Sequence, residues 1–239
     1  MIIRLFLLLL IFSNASNNFF AQKPNILPKN EYGLIVISEK KDFKTSIQAD
    51  SNRKMIALQS FINTIVFDFV YADTSNFTHK KLYKKPVAFL RLPAVKALKN
   101  VCDELKTMGL GIKIWDAYRP YSVTKEMWKM VPDERYAANP AKGSGHNRGA
   151  AVDVTLIYLS NKQELKMPTT FDDFSEKAHH NYQNLAPEIL KNRQLLKSIM
   201  EKHGFIALET EWWHYFLPQA SQRFDLLDID FSKLVKWSK

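Results

Sequence analysis

Between residues 94 and 108 the apolar positions Ala94, Val95, Leu98, Val101, Cys102, Leu105 and Met108 recur at intervals of three and four, and Gly109 follows. That spacing predicts an amphipathic helix closed by a glycine stop. A second helix is predicted from Pro187, a residue suited to a first helical turn, through Ile189, Leu190, Leu196, Ile199 and Met200 to Gly204. Gly111 to Trp115 reads as a short strand that runs into the loop Asp116-Ala117-Tyr118-Arg119-Pro120. Val152, Val154, Leu156 and Tyr158 alternate with Asp153, Thr155 and Ile157, which predicts another strand. Phe205 to Leu208 and Trp212 to Leu217, rich in aromatics, predict two more after the second helix. Strands that follow one another, rather than alternating with helices, predict an α+β domain with a central antiparallel sheet flanked by helices.

Composition narrows the class. The chain has 239 residues, 46% of them hydrophobic, which suits one domain with a sizeable core. Its single cysteine, Cys102, excludes an intramolecular disulfide and a thiolate zinc site, and its place on the helix stripe makes it a core side chain rather than a nucleophile. At the start, Arg4 precedes an apolar run from Leu5 to Phe12, too short to span a bilayer. That is the layout of a secretory leader, residues 1–21, with the cut after Ala15 or Ala21; an uncleaved anchor is the alternative. A linker at 22–29 and a domain over 30–239 would follow. The expected product is exported, in the periplasm or cell envelope, without stable membrane insertion.

Net charge is +10, and no acidic residue occurs from Thr74 to Cys102 while lysines crowd that stretch. An exported chain does not meet nucleic acid, so a solvated basic face is expected there and no nucleic-acid partner.

Candidate chemistry sits in two clusters. Gly143, Gly145 and Gly149 crowd the segment Ser144-Gly145-His146-Asn147-Arg148-Gly149-Ala150-Ala151-Val152-Asp153. His146 and Asp153 can share one metal only if the segment folds back, because seven positions span about 10 Å on a helix and more than about 20 Å on a strand. In Glu211-Trp212-Trp213-His214 a carboxylate precedes a histidine by three. On a strand those two point to opposite faces, so a common role requires a bulge or a strand end near Glu211. Two histidines and one carboxylate, with a second carboxylate as base, would make an open catalytic zinc site. No HExxH helix, no Gly-x-Ser-x-Gly elbow and no phosphate-binding glycine loop occurs.

These clusters, with Tyr71-Ala72-Asp73-Thr74-Ser75-Asn76-Phe77-Thr78, Trp115 to Pro120 and Phe171-Asp172, resemble the D-alanyl-D-alanine dipeptidase family of zinc peptidases, peptidase family M15. The likeness runs in family order over roughly residues 60–231. It implies a single zinc ion per chain, held on the sheet of a fold shared with DD-peptidases by His146, Asp153 and His214. It implies Glu211 as general base and Arg119 as the group that polarises the tetrahedral intermediate. Asp172 and Ser144 would receive the free amino group of a small D,D-dipeptide, with Tyr71 closing the pocket. A D,D-carboxypeptidase or peptidoglycan endopeptidase on the same scaffold is one alternative. A non-catalytic wall-binding module with a structural metal is another. Gly145 stands where small polar residues are common in the family, and the stretch from Met130 to Ser144 is short, so a different pocket rim is expected. His179 and His180, being adjacent, are expected to be structural.

Overall fold

The stripe of Ala94, Val95, Leu98, Val101, Cys102 and Leu105 is buried, and it gives the helix a reason to form: one face lies on a sheet, the other in water. The protein is described by a computed structural model over residues 27–238. The expected leader, with both candidate cuts, lies outside the described residues.

The chain runs through β1 (Val36–Ile37), α1 (Lys40–Ala49), β2 (Met55–Ala57), β3 (Val66–Phe67), β4 (Phe89–Arg91) and α2 (Leu92–Thr107). It continues with β5 (Leu110–Asp116), α3 (Tyr121–Met130), β6 (Ala151–Tyr158), α4 (Pro187–Lys202) and β7 (Ile206–Leu208). The last elements are β8 (Glu211–Phe216), α5 (Ala220–Arg223), β9 (Leu226–Leu227) and α6 (Phe231–Trp237). The fold is therefore mixed α+β. Five strands form the main sheet in the order β3-β5-β6-β8-β7.

Three of its pairings are antiparallel, but β3 joins β5 in parallel, so the sheet is mixed at one edge rather than antiparallel throughout. The connection explains the correction. Between β3 and β5 the chain makes β4 and the long helix α2, and a crossover through a helix returns the chain in its original direction. The alternation expected along β6 also fails as a guide to exposure: from Ala151 to Ile157 every residue is buried. β6 is the central strand, covered on both faces, so Asp153 and Thr155 are as enclosed as the valines.

One core joins α2 and α4 to the sheet, and a second gathers Phe43, Tyr83, Phe89, Tyr118, Leu227 and Phe231. The second brings α1 and α6 together with middle segments of the chain, where β1 pairs in parallel with β9. Leu27 packs against it and Lys29 bridges to Ile35, so the fold is under way within the stretch expected as linker. No periodicity announced α1, and its burial explains why: only Phe43 and Ser46 are buried.

Gly149 ties the cores to the glycine loop. Its φ is +64°, and a Cβ there would lie 2.5 Å from Met55 Cε. The left-handed conformation costs any other L-residue about 1–2 kcal/mol. Gly149→Ala is therefore expected to lower unfolding stability by about 2 kcal/mol or more, read from urea midpoints. A midpoint within error of the parent would show that the loop relaxes freely.

Candidate metal centre

The fold-back that the glycine spacing demanded is a single turn. His146–Arg148 form one 3-10 turn, Gly149 N–H donates to His146 O at 3.0 Å, and Ala150 N–H donates to Gly145 O at 2.9 Å. The chain then enters β6 at Ala151, and Asp153 comes back beside His146. Gly145 has to be small here, since a Cβ on it would sit 2.9 Å from Ala151 Cβ. Across the sheet Asp153 pairs with His214 of β8, which places both on one face.

Three ligand atoms converge. His146 Nε2 lies 3.2 Å from His214 Nδ1 and 3.3 Å from Asp153 Oδ2, and His214 Nδ1 lies 2.9 Å from Asp153 Oδ1. Ligands at about 2.0–2.1 Å in a tetrahedron stand about 3.4 Å apart, so these separations fit three vertices around one zinc-sized ion. Among the described residues this is the one such His/Cys/Asp/Glu set. His146 Nδ1 donates to Ala117 O at 2.6 Å, which fixes the tautomer and leaves Nε2 for the metal.

The geometry also resolves the Glu211 problem. Ala207 pairs with Tyr215, yet the next β7 residue, Leu208, pairs with Glu211, so Trp212 to His214 bulge out of register. Glu211 thereby reaches the same cavity as His214. That cavity, about 170 Å³, is lined by His146, Asp153, His214, Glu211, Arg119, Asp172, Ser144 and Tyr71, with Trp213, Phe77 and Phe174 among its walls. Residues 134–138, part of the short stretch after α3, supply its rim through Glu134, Tyr136, Ala137 and Ala138. His180 lies elsewhere, buried with its ring 6.2 Å from that of Tyr215.

Charges in the cavity are arranged in pairs. Arg119 is buried and grips Asp116 Oδ2 through Nε at 3.0 Å and Nη2 at 2.7 Å, with its guanidinium 5.1 Å from the centre of the Tyr71 ring. Tyr71 donates its hydroxyl to Asp172, at 3.1 Å from Oδ2. Burial raises the Asp172 pKa well above the carboxylate norm, and the negative Asp153 adds to it. Burial likewise raises Glu211. Asp153 is shifted the other way: burial opposes ionisation, but the His146 and His214 imidazoles outweigh it and hold the carboxyl down. His146 is raised despite burial, because Asp153 and Asp116 favour its cation.

A metal held at His146 Nε2 would compete with a proton there, and the raised pKa favours the proton. Zinc binding is expected to release protons and to weaken as pH falls through the raised His146 value. Titration calorimetry in buffers of different ionisation enthalpy measures this directly. Buffer-independent heats would contradict it.

Asp116 stands out in the structure, although in the sequence it was only the first residue of the loop that carries Arg119. Only 1% exposed, it also accepts from Tyr83 Oη at 2.8 Å and from Ala117 N–H at 2.9 Å, and it stands 3.7 Å from His146 Nδ1. It orients both the arginine and the loop that carries the Ala117 carbonyl. The signal available beforehand was an acid at the end of an apolar strand.

A buried two-histidine, one-aspartate donor set beside a free carboxylate is the equipment of a mononuclear metallohydrolase. Residues 51–234 match the Peptidase_M15 model, described as D-ala-D-ala dipeptidase, and the chain belongs to that family. It is 33% identical over 179 residues to the D-alanyl-D-alanine dipeptidase of Escherichia coli (strain K12), covering 75% of this chain and 92% of the relative. It is 30% identical to the D-alanyl-D-alanine dipeptidase of Enterococcus faecium, covering 70% and 95%. A solved structure of the LdcB LD-carboxypeptidase overlaps loosely, with a TM-score of 0.39 and 18% identity over 66% of this chain and 74% of that one.

Proposed function

We propose that this chain hydrolyses D-alanyl-D-alanine and similar small D,D-dipeptides with one zinc ion held by His146, Asp153 and His214. The observation that carries the reading is convergence: three ligands, an acid, an arginine and a second buried acid line one cavity of about 170 Å³, a space suited to a small substrate. Zinc bound to such a set supplies Lewis acidity toward the scissile carbonyl and brings the pKa of its water near 7.

The remaining work belongs to side chains. Glu211 takes the water's proton and passes it to the leaving amine. Its raised pKa makes it a stronger base than a surface glutamate and a usable acid on the return step. Arg119, held in place by Asp116 and so unable to swing, offsets the charge that builds on the carbonyl oxygen. Asp172, steadied by Tyr71, receives the substrate ammonium, and a buried ammonium requires such a partner. A site built around that amine selects dipeptides over longer chains, which carry an amide there instead.

Incubation of the zinc-loaded protein with D-Ala-D-Ala and with a muropeptide ending in it tests the reading. Release of D-alanine from the dipeptide is expected. Preference for the muropeptide would favour a carboxypeptidase, and hydrolysis of neither, with metal bound, would favour a binding module. Asp172→Asn is expected to raise KM for the dipeptide about tenfold or more, by removing one charge-assisted contact. An unchanged KM would place the amine elsewhere.

The leader-like layout of residues 1–21 supports export, and we assign the activity to the periplasm or cell envelope. Cell fractionation and N-terminal sequencing of the mature chain test that assignment.

A further inference from the structure

Three loops build part of the cavity wall, and each contributes one ring. Phe77 lies between β3 and β4, Tyr136 in the short stretch after α3, and Phe174 two residues past Asp172; all three are half-buried and line the cavity. With Tyr71 the rings stand edge to face in a row: Tyr71 to Phe77 at 6.3 Å, Phe77 to Phe174 at 5.5 Å and Phe174 to Tyr136 at 4.8 Å. Edge-to-face pairs attract beyond the area they cover, so the row is a packed wall rather than three independent side chains.

Both ends of the wall are anchored. Asp172 has φ +59°, a left-handed conformation unfavourable for any residue with a Cβ. Around that turn Phe171 stacks on Trp115 at 4.9 Å and the Asp172 carboxyl takes the Tyr71 hydroxyl, with Phe174 next along the chain. At the other end, the N–H groups of Tyr136 and Ala137 both donate to Asp133 O, and Glu134 accepts from Asn139 and Lys142, so Tyr136 rides on a closed turn. The wall reaches Asp172 through Tyr71, whereas the imidazoles of His146 and His214 make their ring contacts with each other and with Phe216. It therefore stands at the Asp172 end of the cavity. A packed apolar surface resists a side chain larger than the space it leaves, because neither ring nor backbone yields cheaply.

We propose that Phe77, Phe174 and Tyr136 determine which side chain the first residue of a dipeptide can carry: a small one is accepted, an aromatic one is excluded, and the side chain of the second residue is not read by this wall. The inference deepens the dipeptidase reading and, in its kinetic half, rests on it. The test compares two ratios of kcat/KM, D-Phe-D-Ala to D-Ala-D-Ala for the first position and D-Ala-D-Phe to D-Ala-D-Ala for the second. Phe174→Ala removes the ring that touches both of the others. It is expected to raise the first ratio about tenfold or more, the order at which an apolar pocket discriminates by size, and to leave the second within about twofold.

Tyr136→Ala supplies a second variant at the rim, where lost packing is least able to disturb the fold, and the same selective rise is expected. Independently of turnover, calorimetry with D-alaninamide and D-phenylalaninamide, which carry the amine and first side chain alone, is expected to show D-phenylalaninamide binding about tenfold more tightly to Phe174→Ala than to the parent, with D-alaninamide little changed. A first-position ratio within twofold of the parent's in both variants would overturn the proposal. So would an equal rise in both ratios, which would mean a general loosening of the cavity. Failure of the parent to hydrolyse D-Ala-D-Ala would overturn the dipeptidase reading alone, and the amide titrations would then decide the role of the wall: D-phenylalaninamide affinities equal in parent and variant would reject it.

Discussion

Glu211→Gln is expected to lower turnover of D-Ala-D-Ala by about 10²- to 10⁴-fold, the usual worth of a positioned general base, while zinc content matches the parent's. The amide keeps the shape of the side chain and removes the group that accepts a proton. A second consequence follows from burial. Glu211 has a raised pKa in the metal-free fold, so between the ordinary glutamate value and that raised value the unfolded chain has released a proton that the folded chain retains. Stability contributed below the ordinary value is therefore lost as pH rises through the raised one. In neutral solution Glu211→Gln removes this cost, and the metal-free variant is expected to melt above the metal-free parent. Turnover within a few-fold of the parent would remove Glu211 from the mechanism.

Asp153→Asn is expected to act on the metal itself. After dialysis the variant should retain little zinc by atomic absorption, and turnover should fall to background, because a neutral amide between two imidazoles is a poor third ligand for a hard, doubly charged ion. Its effect on the metal-free fold has the opposite sign to that of Glu211→Gln. The Asp153 pKa is depressed, so its contribution to stability is present above the ordinary carboxylate value and is lost as pH falls toward the depressed one. At neutral pH the asparagine forfeits that contribution, and the metal-free variant should melt below the parent. Stoichiometric zinc in the dialysed variant would mean that the metal is held by other residues.

The two opposite shifts come from one cavity. Besides Glu134 at the rim, three carboxyl groups, Asp153, Asp172 and Glu211, share it with Arg119 and two histidines, and only Asp153 touches the imidazoles directly. Asp153 therefore stays ionised, while the other two bear the cost of burial.

Periodicity made α2 and α4 legible, because each long helix lays a broad apolar stripe on the sheet, and their glycine stops fall where the chain turns with positive φ at Gly109 and Gly204. It left α1 and the parallel edge strand β3 unread. Each buries too few side chains to impress a period on its sequence, and the direction of β3 depends on the crossover through α2. Among candidate site residues, the glycine density around His146 called for a fold-back, and the Glu211 spacing called for a bulge or a strand end, of which the bulge is what aligns it with His214. The buried acid Asp116 carried no comparable mark, since its importance lies in the four donors that reach it from Tyr83, Ala117 and Arg119.

By itself the sequence determined the inventory: which residues could bind a metal, which helices would be amphipathic, and which local turns glycine had to permit. Those are properties of residue type and of neighbours within a few positions. Only the tertiary structure decided that His214 lies opposite Asp153 and that Glu211 shares their cavity. These placements depend on the register between β6 and β8, and a slip of one residue would turn every side chain of a strand to the other face.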